Sequence, residues 1–176
     1  GFVRLCKIVT TPVERVVRKA RSRQDVFKLI LQERGSGLYE QSGRSTQLTA
    51  GQWLMYDGSL PFSLSIREPS ERYVLLLPKE VISLRGIGVG AALMRSFPAS
   101  SGMGRLMRDH VRSTFEELAA NNIEPSSVLA DTMVQLVQQS LILNCCEPQR
   151  LLRKEVLKSK AKAFISRQLG DPQLTI

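Results

Sequence analysis

Short runs of alternating apolar and polar residues fill the first half of the chain. In residues 62–67 every second side chain is apolar, which is the period of a strand with one buried face. Gly, Pro and Ser interrupt these runs about every ten residues. The alternation predicts eight strands, at residues 5–9, 14–18, 25–34, 37–41, 45–48, 53–57, 62–67 and 72–77. Eight short antiparallel strands indicate a sandwich or a barrel, because stacking or closure buries one face of each strand and protects the sheet edges.

A helical period replaces the alternation after Pro78. Between residues 103 and 118 the apolar positions fall on one side of a helical wheel, which predicts an amphipathic helix. A second helix is predicted from about residue 125 to residue 144, and its apolar stripe covers about half of the wheel. A stripe of about 100° is enough to seat a helix on one core, so we expect another surface to cover the excess.

The segment at residues 120–124 is short enough to make these two helices an antiparallel pair. A third, basic helix is predicted over residues 149–169. Gly170 supplies its C-terminal cap and Pro172 prevents its continuation.

The composition is that of an ordinary globular protein. Of 176 residues, 43% are hydrophobic and 23% are charged, which excludes a disordered or fibrous chain. No apolar run approaches the roughly 20 residues that a membrane span needs, and the N-terminus lacks a signal-peptide pattern. The three cysteines, Cys6, Cys145 and Cys146, form neither an even set nor a C-x-x-C motif. We therefore expect reduced thiols in a cytoplasmic protein without a membrane partner.

The positive charge is unevenly distributed along the chain. Lys and Arg number 25 against 16 Asp and Glu, which gives a net charge of +9. Residues 101–147 carry three basic and six acidic side chains, which excludes that stretch as a nucleic-acid surface. Residues 148–176 carry seven basic and two acidic side chains. Such a segment either lies near phosphates, because clustered Lys and Arg release counterions, or forms the solvated face of a helix.

The residue sets that common forms of catalysis need do not occur in the sequence. His110 is the only histidine, and it falls on the apolar side of the first predicted helix, as a buried imidazole does. A zinc site needs three or four donors at close spacing, and no such cluster occurs. The Gly-x-Gly-x-Gly motif at residues 86–90 lacks the context of a dinucleotide site, because Pro98 interrupts the segment that would form the following helix. We predict no metal, no cofactor and no enzymatic activity.

Aromatic residues cluster in the first half of the chain: Tyr39, Trp53, Tyr56 and Phe62. Aromatic rings beside polar side chains are typical of a small-molecule cavity, although each ring also suits an ordinary barrel core. We expect the Trp53 face of its strand to point into the barrel, because burying the indole removes the larger apolar area from water. The candidate effector-binding residues are Phe27, Tyr39, Gln41, Trp53 and Arg67. If the Arg67 side chain points inward, it favours an anionic effector.

The broad apolar stripe of the second predicted helix favours self-association. Two-fold contacts are the commonest way to cover such a self-complementary face. We therefore expect a symmetric homodimer through residues 101–144. The candidate interface residues are Met107, His110, Leu129, Met133, Leu136 and Val137.

Several motifs at specific spacings extend over nearly the whole chain. In the first half they are Gln41-x-Gly43-Arg44, Leu48-x-x-Gly51, Asp57, Pro61-Phe62 and Leu75-x-Leu77-Pro78-Lys79. In the last part they are Leu151-Leu152-Arg153-Lys154 and Leu169-Gly170-Asp171-Pro172-x-Leu174-Thr175. With these motifs the sequence resembles the AraC-type effector-binding and dimerisation domain of AraC/XylS-family transcriptional regulators.

The resemblance implies an α+β fold, in which a cupin-like antiparallel β-barrel is followed by an antiparallel helix pair and a basic linker helix. Residues 1–100 would form the effector-binding barrel with its connecting segment, 101–147 the dimerisation helices, and 148–176 the linker to a helix-turn-helix domain that this chain lacks. DNA would be bound only through that domain. Metal-binding cupins carry several histidines on their strands, and no histidine precedes His110 here, which argues against a metalloenzyme of that superfamily.

The sequence thus predicts the sensing and dimerisation module of a bacterial transcription regulator. An unidentified small-molecule effector would change the arrangement of two DNA-binding domains. Two alternatives remain open. One is a dimerisation module that binds no ligand, and the other is a small cupin-like enzyme, which would convert its ligand.

Overall fold

The computed structural model describes residues 3–18, 25–82, 89–121 and 126–145. Nine strands in these ranges form two antiparallel sheets. The strands are β1 (Arg4–Thr10), β2 (Val13–Arg18), β3 (Val26–Arg34), β4 (Ser36–Gln41), β5 (Arg44–Thr49), β6 (Gln52–Asp57), β7 (Phe62–Ile66), β8 (Ser70–Pro78) and β9 (Ser96–Pro98). The eight strands predicted from the alternation are confirmed. The short strand β9 was not predicted, because three residues are too few to show a period.

The two sheets face each other and do not close into one barrel. The first has the strand order β1-β8-β3-β6-β9, and the second has the order β2-β7-β4-β5. Side chains of both sheets meet between them, among them Ile30 and Leu54 of the first sheet and Tyr39 and Leu48 of the second. The predicted α+β class with cupin-like antiparallel sheets is confirmed, and the sheets are stacked rather than joined edge to edge.

The first sheet is covered on both faces. Its second face packs against the helices, in a cluster that includes Trp53 and Leu75 from the strands and Met107 and Val137 from the helices. In β6, residues 53–56 are therefore all at most 4% exposed. A sheet buried on both faces produces continuous apolar runs, so its sequence does not reveal which face points towards the other sheet.

Two helices lie against the first sheet. Helix α1 spans Gly102–Asn121 and helix α2 spans residues 127–145, so both helices predicted from the helical period are present. The Ser126 hydroxyl accepts a hydrogen bond of 3.3 Å from the backbone N–H of Leu129 and caps the first turn of α2. The predicted basic helix at 149–169 lies outside the described residues. Neither described helix is long and apolar enough to cross a membrane.

Two contacts join α1 to the central strands of the first sheet. Arg108 forms a bidentate ion pair with Glu33 of β3, with its Nε 2.7 Å from Oε1 and its Nη2 2.8 Å from Oε2. The rings of Tyr73 in β8 and Phe115 in α1 meet edge to face, with their centroids 5.5 Å apart. These contacts attach α1 to both β3 and β8.

Candidate functional site

Polar side chains interrupt the apolar space between the two sheets at one end of β8. Arg72 lies directly opposite Gln32 of β3, and Val74 lies opposite Ile30. Because side chains alternate along a strand, Arg72 and Gln32 share the face of Val74 and Ile30, which points towards the second sheet. Both polar side chains are buried, with Gln32 1% and Arg72 6% exposed.

The Arg72 guanidinium is buried without a carboxylate partner among the described residues. Its Nη1 donates hydrogen bonds to the hydroxyl oxygens of Ser70 at 3.0 Å and Thr10 at 3.4 Å. It forms no ion pair with any carboxylate of the described residues. Arginine is almost never fully buried unless it is paired, because removing the charge from water is costly. The guanidinium therefore keeps strong donors for an anionic group between the sheets.

Two further polar atoms in this region are buried without a hydrogen-bond partner among the described residues. They are the hydroxyl of Tyr39, on the facing sheet, and Oε1 of Gln32. Burial raises the pKa of Tyr39 to about 12, and the positive charge of Arg72 opposes this rise, so the guanidinium lies within electrostatic reach of the phenol. We call Arg72, Gln32 and Tyr39 the inter-sheet polar cluster. It combines a cationic donor, a neutral donor and an acceptor.

The sequence analysis did not single out Arg72 or Gln32. The alternation of β8 contained the signal, because Arg72 shares its face with the apolar residues Val74 and Leu76. An arginine in register with apolar positions is unusual in a buried strand. Arg67, which was chosen instead, lies after the end of β7 and is exposed.

The five candidate effector-binding residues are distributed over three parts of the fold. Tyr39 and Gln41 lie between the sheets, Phe27 and Trp53 belong to the core cluster under the helices, and Arg67 lines a small depression on the outer side of the second sheet. The structure does not bring them together in one site. Contact between any of them and an effector stays a prediction.

The expectation that the Trp53 face points into the space between the sheets is wrong. Trp53 packs under the helices, with its ring centroid 4.7 Å from that of Phe97. Leu54 and Tyr56 of the same strand point towards the second sheet instead. The indole is fully buried, as burial of the largest apolar area requires, but the helices and β9 provide that burial.

Three residues of the first-half motifs meet in one network at the other end of the sheets. The Gln41 amide donates to the backbone oxygen of Asp57 at 2.8 Å and accepts from its N–H at 2.9 Å. Lys79 Nζ lies 2.9 Å from Asp57 and 2.8 Å from Asp25. Burial alone would raise the pKa of Asp57, but hydrogen bonds from Ser59 and Lys79 hold it below its usual value. These motif residues form a structural link between the sheets, and the hydrogen-bonding capacity of the Gln41 amide is already used.

A concave site lies between the edge of the first sheet and the helices. This cavity has a volume of about 730 Å³. Its apolar walls come from β1, β8 and both helices: Leu5, Leu76, Phe115, Leu118, Leu129 and Met133. Arg4 is the one charged residue among the described residues that line it. The volume is within the range of roughly 300–1,000 Å³ that is typical of small-molecule sites.

Half of the candidate dimer residues are part of the protein's own core. Met107, Met133 and Val137 are at most 4% exposed and pack under the first sheet, so burial leaves little of their side chains for a partner subunit. His110, Leu129 and Leu136 keep part of their surface. The most exposed apolar side chains on the described helices are those of Leu106, Val128 and Leu143, which are 57%, 69% and 45% exposed. A dimer contact through any of these residues stays a prediction.

No group of three or more His, Cys, Asp or Glu side chains suited to a metal ion occurs in the described residues. His110 is the only histidine of the chain. Its Nε2 is buried without a hydrogen-bond partner in the described part of the chain. The polar atoms without a partner in the described residues can offer hydrogen bonds, and Arg72 can offer charge, to a ligand.

Comparison with known proteins gives consistent matches. A protein-family model of the AraC-binding-like domain matches residues 1–143. An uncharacterized protein in the nit 5′ region of Bacillus sp. (strain OxB-1) is 26% identical over 181 residues, which cover 95% of this chain and 67% of that protein. The crystal structure of the AraC-like transcriptional activator CuxR matches with a TM-score of 0.67 and 16% identity, over 80% of this chain and 52% of that one.

The likeness to CuxR concerns the fold, since the identity is low, and this chain spans about half of that protein. The family model covers far more than half of the chain and includes both sheets and most of the helix pair. The expectation drawn from the sequence motifs is therefore confirmed at the level of the family. The chain belongs to the family of AraC-binding-like domains.

Proposed function

We propose that this chain is the effector-sensing and dimerisation domain of a bacterial, cytoplasmic AraC-type transcription regulator. Membership of the AraC-binding-like family supports a regulatory sensing domain. The observation that carries the proposal is the inter-sheet polar cluster, a buried guanidinium without a carboxylate beside two unpartnered polar atoms. In the proposal, residues 1–100 hold the effector, 101–147 form the dimer, and 148–176 lead to a DNA-binding domain outside this sequence.

The polar cluster favours an effector that carries both an acidic group and a hydroxyl group. Arg72 and the Tyr39 O–H are donors, which suit the oxygens of a carboxylate or a similar anion. Oε1 of Gln32 is an acceptor, which suits a ligand hydroxyl. A ligand that satisfies all three atoms removes the cost of leaving them buried and unpaired.

The connections of the first sheet provide a route from the effector to the helices. Gln32 is followed by Glu33, which holds Arg108 of α1 in a bidentate ion pair. Arg72 is followed by Tyr73, which packs against Phe115 of the same helix. The two first-sheet strands of the cluster, β3 and β8, thus touch α1 through the residue that follows Gln32 or Arg72. Occupancy of the cluster would change the equilibrium position of the helices and, through the dimer, the spacing of the DNA-binding domains.

A chimeric regulator tests this function. The chain replaces the sensing domain of an AraC-type regulator with a known promoter, and reporter transcription is measured with a panel of hydroxy acids and other metabolites. A sensor gives transcription that depends on one compound, and Arg72→Met removes that response. A dimerisation module without a ligand gives constant transcription under all compounds. An enzyme consumes the compound, and mass spectrometry detects the product.

The same substitution is expected to leave the stability of the domain almost unchanged. Arg72→Met removes a buried charge that no carboxylate of the described residues balances, so the free energy of unfolding should change by less than about 1 kcal/mol. The hydroxyls of Thr10 and Ser70 remain bonded to each other at 3.0 Å.

Lys79→Met is the matched control, because Lys79 is paired with two carboxylates. That variant should lose about 1–2 kcal/mol in urea denaturation. A larger loss for Arg72→Met than for Lys79→Met would contradict the assignment.

The dimer is expected to form through the exposed apolar side chains of the helices. Leu106→Lys combined with Val128→Lys should give a monomer, because each lysine places a charge where the partner would bury apolar surface. Both positions are more than half exposed, so the monomer fold should be kept. Val9→Lys is the control, since Val9 is 71% exposed but lies on β1. Sedimentation velocity at micromolar concentration checks all three proteins. A monomeric wild type, or a double variant that stays dimeric, argues against this interface.

A further inference from the structure

The cavity between β1, β8 and the helices has the composition of a ligand site. Its described lining is apolar except for Arg4, Cys6 and Thr114. Two strands and two helices contribute to it, with Leu5 on the sheet, Leu118 on α1 and Leu129 on α2 among the walls. Such a concave apolar space takes up an apolar body of small-molecule size.

Arg4 gives this cavity a single cationic end. Its side chain is exposed, and it forms no ion pair with a carboxylate of the described residues. Lys7 of the same strand differs, because it pairs with Glu71 at 2.7 Å. A cation that has no carboxylate partner in the described part of the chain and lies beside an apolar cavity is complementary to a molecule with one negative group and an apolar remainder.

The cavity is separate from the inter-sheet polar cluster. Arg4 lies opposite Leu76, and Arg72 lies opposite Ile8. The four strand positions between Leu76 and Arg72 correspond to roughly 13 Å at the usual rise of a strand. Arg4 and Arg72 therefore lie too far apart along the strands to bind the same small anionic group.

We propose that this cavity binds an amphipathic monoanion of the medium-chain carboxylate type. The apolar chain lies between the sheet edge and the two helices, and the carboxylate lies against the Arg4 guanidinium. The ligand would bridge β1, α1 and α2 and hold the helix pair in one position relative to the sheet. The site does not depend on the proposed effector site, because no residue of the polar cluster lines it.

Isothermal titration calorimetry of the complete 176-residue chain tests the proposal with two probes. Decanoate has the anionic group, and 1-decanol has the same chain without charge. We expect saturable binding of both, with decanoate the tighter. Arg4→Gln should weaken decanoate about fivefold, the scale of an exposed ion pair, and leave 1-decanol unchanged. Arg15→Gln is the matched control, because Arg15 is an exposed arginine on the second sheet, and it should change neither affinity.

A second set of variants locates the binding in the cavity. Ala130→Phe should fill the space from the side of α2 and abolish binding of both probes, while the thermal unfolding temperature stays at or above that of the wild type. Ala119→Trp fills it from α1 and replaces that variant if the first does not fold. Arg72→Met should keep full decanoate binding, which separates this site from the effector site.

The proposal is overturned by three results. One is the absence of saturable binding of both probes to the wild type. The second is decanoate binding that survives both cavity-filling variants. The third is a wild type that is a dimer and binds neither probe, together with a cavity-filling variant that is a monomer. This result would assign the cavity to the subunit interface.

Discussion

Replacing Gly104 by alanine is expected to lower the free energy of unfolding by about 2–3 kcal/mol. A Cβ at this position of α1 would overlap the backbone carbonyl oxygen of Pro98 and would lie 3.4 Å from Cα of Ala99. These are backbone atoms next to β9, so no side-chain rotation relieves the overlap. The helix must move away from the sheet, and the apolar contacts beneath it are weakened.

The sign of this effect distinguishes packing from helix propensity. In an exposed helix, alanine is about 1 kcal/mol more favourable than glycine, so propensity alone predicts a more stable variant. Gly90→Ala is the control, because a Cβ at Gly90 meets nothing within 4 Å, and it should leave the midpoint of urea denaturation nearly unchanged. A Gly104→Ala variant that is as stable as the wild type would show that α1 does not approach β9 so closely.

The alternation of apolar and polar residues was sufficient to predict the strands, but not which face of each strand points towards the other sheet. In β7, the alternation of residues 62–66 gives the strand and its inward side at once, because the apolar residues Leu64 and Ile66 pack between the sheets and serine alternates with them. In β6, residues 53–56 are apolar throughout because helices cover the far side of the first sheet. The orientation of Trp53 then depends on where the helices pack, which is a tertiary property.

The candidate site was predicted less well for a related reason. The search for an effector site favoured aromatic residues and motif residues, and Gln41 proved to be bonded to Asp57 as part of a link between the sheets. A residue can belong to a family motif because it stabilises the fold as well as because it binds a ligand. Arg72 belongs to none of the motifs, and what singles it out is its burial without a carboxylate partner among the described residues, which depends on the residues of three strands. Contacts between distant strands are not visible in a local pattern.

The helices illustrate a third limit. The sheet covers Met133 and Val137 of the broad apolar stripe of α2, while Leu129 lines the cavity, and the surface that covers the rest of the stripe stays a prediction. The sequence gives the width of the stripe, but the share covered by the chain's own sheet depends on the angle at which the helix packs.

Removing the Tyr39 hydroxyl is expected to flatten the alkaline denaturation of the domain. Burial raises the pKa of Tyr39 to about 12, above the value of 10.0 of an unperturbed tyrosine. The unfolded chain therefore releases this proton at a lower pH than the folded one. Ionisation of Tyr39 therefore leaves the free energy of unfolding unchanged below about pH 10 and lowers it as the pH rises through 12. A difference of two pKa units corresponds to about 2.7 kcal/mol over this interval.

Urea denaturation of wild type and Tyr39→Phe at several pH values between 8 and 12 measures this contribution. The lysines, Lys7 and Lys79 among them, are the same in both proteins, so the difference between the two proteins isolates the phenol. At pH 8 the variant should be about 1 kcal/mol more stable, because the wild-type hydroxyl is buried without a partner in the described residues. The advantage of the variant should grow by about 2.7 kcal/mol towards pH 12. A constant difference would show that the phenol is solvated, and a less stable variant at pH 8 would show that the hydroxyl has a partner.

The same substitution links stability to sensing. The buried Tyr39 hydroxyl lowers the stability of the ligand-free domain. An effector that hydrogen-bonds to this hydroxyl would supply the missing partner and offset that loss of stability. In the chimeric regulator, Tyr39→Phe should therefore weaken the response to the compound while the protein becomes harder to unfold. Loss of response together with loss of stability would instead mean that Tyr39 supports the fold. An unchanged response in a more stable protein would remove Tyr39 from the effector site and leave Arg72 and Gln32 as its polar groups.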